Sequence, residues 1–91
     1  MIYIGYVIID GTVLAKINQK HTVTADEVRS AIQYPAKYEA AWEDHAVHGR
    51  RVIAAGTSWS NRAILAWLEP VDETDGTWAL RSARCKDPRN D

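Results

Sequence analysis

Ninety-one residues with 46% hydrophobic content and a formal net charge of −1 make one small domain (residues 1–91), of a size that buries about 60–65% of its extended surface on folding. The apolar share excludes disorder as the default, and no apolar run approaches the roughly 20 residues that span a bilayer. The slightly acidic balance excludes a broadly basic nucleic-acid coat. However, seven of the eleven Lys and Arg residues lie between Arg50 and Arg89, and local basic patches act over about 10 Å whatever the total charge.

Residues 2–9, rich in Ile, Val and Tyr, read as a strand. They lack the basic start and cleavage site of a signal peptide. Asp10-Gly11 can turn a hairpin into residues 12–17, or Asp10 can cap a helix over residues 12–20. Val13, Leu14 and Ile17 on one face and Lys16 and Lys20 at i,i+4 on another favour the helix. Thr24 and Glu27 are spaced as a capping box, with Val23 and Val28 placed to staple it. The cap contributes about 1 kcal/mol and opens a second helix over residues 25–33, ended at Tyr34 by Pro35. Lys20-His21 therefore falls at a tight junction between two helices.

Residues 36–49 read as a short helix or an irregular crossing over the sheet. Residues 50–57, 62–68 and 77–84 read as strands, the first two joined by a hairpin-length loop at 58–61 and the last two by a longer turn-rich connection at 69–76. Residues after Lys86 lack apolar content and read as frayed. The expected fold is α+β: two N-terminal helices packed on one face of a three- to four-stranded antiparallel meander.

A titratable imidazole beside a fixed cation suits acid–base work on a phosphate, so His21 and Lys20 head the candidate site. Arg51, Arg62 and Arg84 stand at strand ends, Arg62 and Arg84 towards one edge of the sheet and Arg51 towards the other. The plainer reading is that His21 caps its helix and that the arginines are solvated or paired with acids. His45 and His48 at i,i+3 are weak metal-ligand candidates without a third ligand type. Trp59 in its polar loop can stack a base or pack over the sheet, and Trp67 and Trp78 read as core. Cys85 is the single cysteine; it excludes an intramolecular disulfide and fits a reducing cytoplasm.

The order Lys16, Lys20-His21, Val23 and Glu27-Val28, then His48-Gly49-Arg50-Arg51-Val52 and Gly56, then Arg62 and Leu65, then Ser82-Ala83-Arg84 resembles the BrnT family of bacterial toxins, over about residues 14–86. The chain departs from that pattern at Thr22, where glycine is usual, at Cys85-Lys86 in place of lysine-alanine, and in lacking the acidic C-terminal helix. The resemblance implies a RelE-like fold and the toxin component of a type II toxin–antitoxin system. It implies a metal-independent endoribonuclease that uses no cofactor, cleaves RNA by 2′-hydroxyl attack and acts in the cytoplasm. Its partners would be an RNA substrate and a small cognate DNA-binding antitoxin encoded nearby, with no membrane association; the Trp-rich sheet and the acidic loop at 69–75 offer surface for such a partner or for self-association, giving a homodimer or hetero-oligomer. Carried over by position, Lys20, His21, Glu27, Arg51, Arg62 and Arg84 are the catalytic candidates. Lys16, Arg50, Arg81 and Lys86 are the nucleic-acid-binding ones. The alternative function is a non-enzymatic toxin-fold protein acting as a partner-binding or regulatory module.

Overall fold

The computed structural model describes residues 2–86. Its elements are β1 (Tyr6–Ile8), α1 (Gly11–His21), α2 (Ala25–Ile32), β2 (Tyr38–His45), β3 (Gly49–Thr57), β4 (Ala63–Asp72) and β5 (Thr77–Cys85). The class is α+β as expected. The sheet is larger than expected and mixed: five strands in the order β1-β5-β4-β3-β2, with β1 parallel to β5 and the other pairs antiparallel. Among the described residues, no helix is long and apolar enough to cross a membrane.

Asp10 resolves in favour of the helix. Its Oδ1 accepts the Thr12 N–H at 2.7 Å, closing one free donor at the start of α1. The helix ends where Thr22 turns left-handed (φ 51°) and its N–H reaches the Asn18 carbonyl at 3.0 Å. That conformation is one that glycine adopts far more easily than a β-branched residue. The capping box at Thr24 forms in both directions, and α2 buries Val28, Ala31 and Ile32, the stripe expected from the sequence.

Four expectations need correction. The first strand is only Tyr6–Ile8, because its pairing with β5 covers three residues. Residues 36–49 hold neither a helix nor an irregular crossing but strand β2, whose Tyr38, Ala40 and Trp42 lie opposite Gly56, Ala54 and Val52. The connection after Leu68 is mostly strand: β4 continues through Pro70 to Asp72, absorbing the proline at register shifts. Finally, Trp67 is not core. Trp78 is, 2% exposed, with Trp42 at 5.6 Å centroid separation. The expectation of fraying after Lys86 lies outside the described residues.

The core forms between the helices and one sheet face: Ile17, Val23, Val28, Ala31 and Ile32 against Val52, Ala54, Ile64, Ala66, Leu80 and Ala83. Gly56 lets α2 close onto β3, since a Cβ there would strike the Ala31 carbonyl oxygen. The outer edge of β1 is closed by α2: the Gln33 Oε1 accepts the Val7 N–H at 3.0 Å, and an Arg29 Nη2 donates to the Val7 carbonyl at 3.1 Å.

Candidate nucleic-acid interface

The candidate residues fall into separate groups, each placed by a different part of the fold. The first is built on Glu27. As the third residue of α2 it must fold back over the helix start, and Oε1 accepts the Thr24 N–H at 3.1 Å. The hairpin loop between β3 and β4 then comes to meet it. Ser60 Oγ donates to Oε2 at 2.6 Å, and Arg62 Nη1 reaches Oε2 at 3.0 Å and Oε1 at 3.1 Å. The same Nη1 donates to the Thr22 carbonyl at 2.7 Å. The loop is held further by Trp59 N–H to Ser30 Oγ at 2.9 Å and by Arg62 N–H to Ser58 Oγ at 3.2 Å, with Asn61 at a positive φ of 63°.

Burial alone would raise the Glu27 carboxyl; the Ser60 hydroxyl, the Thr24 backbone N–H and the Arg62 guanidinium outweigh it and hold the carboxyl below its ordinary value. Burial alone would lower the Arg62 guanidinium; hydrogen bonds to Glu27 and Cys85 outweigh it and hold the proton more firmly. A carboxylate 5% exposed and so fully bonded is a poor proton acceptor at neutral pH. Glu27 and Arg62 tie α2 to the β3–β4 loop.

Lys20 and His21 do sit at a tight interhelical junction, at the C-terminal end of α1, where basic side chains complement the helix dipole. His21 precedes Thr22, whose carbonyl accepts from Arg62. Lys20 is exposed and His21 partly so.

The second group lies at the opposite end of the sheet. Lys16, His48, Arg51, Glu69, Arg81 and Ser82 line a cleft of about 140 Å³. Lys16 arrives from α1, Arg51 from β3, Glu69 from β4, and Arg81 and Ser82 from β5; His48 comes from the β2–β3 turn. That turn is set by Gly49 at φ 74° and by His45 Nδ1, which accepts the N–H groups of Val47 and His48 at 3.0 and 3.1 Å. The His48 ring packs on His45 at 4.7 Å. Arg51 bonds Glu43 and Arg81 bonds Glu69, each through Nε at 2.7 Å, so each guanidinium keeps its NH groups for another acceptor. Guanidinium forks, an ammonium, an imidazole and a hydroxyl together make a set that can hold a phosphodiester and move a proton on it.

The fold thus brings together Lys16, Arg51 and Arg81 from the expected set, and adds His48. Histidine at position 48 is visible in the sequence beside Gly49-Arg50-Arg51, but its place in the cleft depends on the β2–β3 hairpin. Arg84 lies over the Trp67 ring at 5.5 Å and Arg50 over Trp42 at 4.2 Å, on opposite faces of the sheet. Lys86 lines a separate cavity of about 380 Å³ with Lys37. Arg62 and Arg84 do share one end of the sheet and Arg51 takes the other, as expected, but His21, Lys20, Arg51, Arg62 and Arg84 do not form one cluster. Trp59 is 73% exposed. Compared with known proteins, the chain matches no family model and no curated protein.

Proposed function

We propose that the protein is a BrnT-like, RelE-like toxin: a metal-independent endoribonuclease acting in the cytoplasm and neutralised by a small cognate antitoxin encoded nearby. The observation that carries this reading is the convergence of Lys16, His48, Arg51, Arg81 and Ser82 on one cleft. Backbone geometry supports the resemblance independently. Thr22 stands where the family pattern has glycine and adopts a left-handed φ of 51°. Gly49 and Gly56, both in the matching pattern, occupy a positive-φ turn and a close helix–sheet contact.

In this reading the RNA 2′-hydroxyl attacks the adjacent phosphorus. The new O–P bond forms as the 5′-oxygen leaves, giving a 2′,3′-cyclic phosphate and a 5′-hydroxyl. The proton leaves the 2′-hydroxyl and another returns to the leaving oxygen. His48 is the titratable group in the cleft for that transfer, taking the role expected of His21. Arg51 and Arg81 face the charge that grows on the phosphate oxygens, and Lys16 adds a point charge.

A specific observation favours the second reading, a partner-binding module without catalysis. Glu43 and Glu69 already neutralise Arg51 and Arg81, and Arg62 is committed to Glu27. Incubation of purified protein with RNA in EDTA, with mapping of the product ends, separates the two. Cyclic phosphate ends that vanish in a His48→Ala variant support the enzyme. Intact RNA, including with ribosomes present, supports the binding module.

A further inference from the structure

We propose that the sheet face turned away from the helices is a self-complementary surface for a second copy of this chain. This does not rest on the ribonuclease reading. Both helices pack on the face of Val52, Ala54, Ile64, Ala66, Leu80 and Ala83. On the other face the register sets three rows across β2, β3, β4 and β5. One row is Glu39, Ala55, Leu65, Arg84, and the next is Ala41, Ile53, Trp67, Ser82. The third is Glu43 and Arg51, cross-strand partners, followed by Glu69; the register sets Ala79 opposite Glu69, and Arg81, at the register shift beside it, reaches Glu69 through an ion pair at 2.7 Å. The middle is apolar and partly accessible, while Glu39, Ala41 and Arg84 are exposed.

These rows are antisymmetric in charge. A two-fold axis parallel to the strands, running between β3 and β4 in the plane between two stacked sheets, sets β2 over the partner's β5 and β3 over the partner's β4. Glu39 then meets the partner's Arg84, Glu43 its Arg81, and Arg51 its Glu69, while Ile53 meets its Trp67 and Ala55 its Leu65. No like charges meet. A two-fold axis across the strands would instead stack β2 on itself and bring Glu39 against Glu43, so charge selects the first arrangement. It is also the aligned packing natural to twisted sheets, about 10 Å apart and about −30°. Among the described residues neither Glu39 nor Arg84 makes an ion pair; Arg84 lies over its own Trp67 ring and exchanges that contact for the partner's Glu39 on association.

Four strands about 4.8 Å apart, each offering about seven residues at about 3.3 Å, present roughly 450 Å² per copy. About 900 Å² for the pair matches a weak, reversible dimer. Sedimentation velocity on the purified chain from about 1 to 500 μM covers the range of such an interface. The wild type is expected to shift from monomer to dimer. Glu39→Arg and Arg84→Glu, both exposed sites, should each weaken dimerisation about 100-fold, because symmetry creates the like-charge contact twice. The double variant E39R/R84E should restore it to within about threefold of wild type, since the pair is then exchanged and not lost. Circular dichroism checks that each variant keeps its fold. A wild type monomeric throughout overturns the proposal. So does a dimer indifferent to the single reversals, or one that the double reversal fails to restore.

Discussion

Replacing Arg62 by methionine keeps its apolar stem and removes the one cation that bonds Glu27 among the described residues. The Glu27 side chain is 7% exposed and that of Arg62 21%, so the pair is screened far less than a surface bridge. Removing one partner of a buried pair costs about 3–5 kcal/mol. Here Ser60 and the Thr24 N–H still bond the orphaned carboxylate, which places the loss near the lower end, about 3 kcal/mol. For a domain this size that is a fall of about 15 °C in Tm. The pH dependence follows from Glu27, whose folded carboxyl is held below its ordinary value. Its stabilisation is therefore complete above the unfolded value and is lost as pH falls through the folded one. Without Arg62 the carboxyl protonates at higher pH, so the penalty of Arg62→Met should shrink in acid. Urea unfolding followed by tryptophan fluorescence at neutral and acid pH measures both effects. A loss under about 1 kcal/mol at neutral pH, or a penalty constant into acid, would refute the assignment of Glu27–Arg62 as the tie between α2 and the loop.

Thr22→Gly relieves a β-branched residue at φ 51° while losing its hydroxyl bond to the His21 carbonyl; thermal unfolding should show a gain of about 0.5–1 kcal/mol. Gly56→Ala drives a methyl into the Ala31 carbonyl and should cost about 3 kcal/mol in the same assay, loosening α2 from β3. In RNA cleavage with EDTA, His48→Ala and Arg81→Ala should each lower the rate about 10²-fold, and His21→Ala less than about threefold. The reverse order for the two histidines would return the site to the α1–α2 junction.

Local signals in this chain were legible and distant ones were not. The capping box needs only Thr24 and Glu27, three residues apart, and it formed as read. The stop of α2 likewise depends on neighbours. The parallel pairing of Tyr6 with Thr77 joins the two ends of the chain, and nothing near either residue signals it. Strand β2 has the right alternation at Tyr38, Ala40 and Trp42. Yet Glu39, Ala41, Glu43 and Asp44 are poor strand formers, and only the hairpin with β3 overrides them. Pro70 reads as a break, but it lies opposite Trp78 between two register shifts, where strands tolerate a missing donor. The pairing of the candidate residues is non-local as well. Arg62 and Glu27 are 35 positions apart, so their mutual neutralisation is invisible in sequence and each reads there as available for chemistry.

Arg51, Glu69 and Arg81 belong both to the cleft and to the third row of the open face. Their donor groups cannot serve a phosphate and a second copy together, because stacked sheets about 10 Å apart leave no room for a nucleotide between them. By mass action, whichever ligand binds the monomer's open face opposes self-association, and self-association lowers the apparent affinity for that ligand by the fraction of chain left monomeric. The charges match this arrangement. Lys16, Arg51 and Arg81 against Glu43 and Glu69 leave a formal excess of one positive charge, and within the single chain Glu43 already bonds Arg51 and Glu69 bonds Arg81. In the monomer a phosphate would therefore have to share both guanidiniums with Glu43 and Glu69, and the proposed self-association would add a second competitor for the same groups.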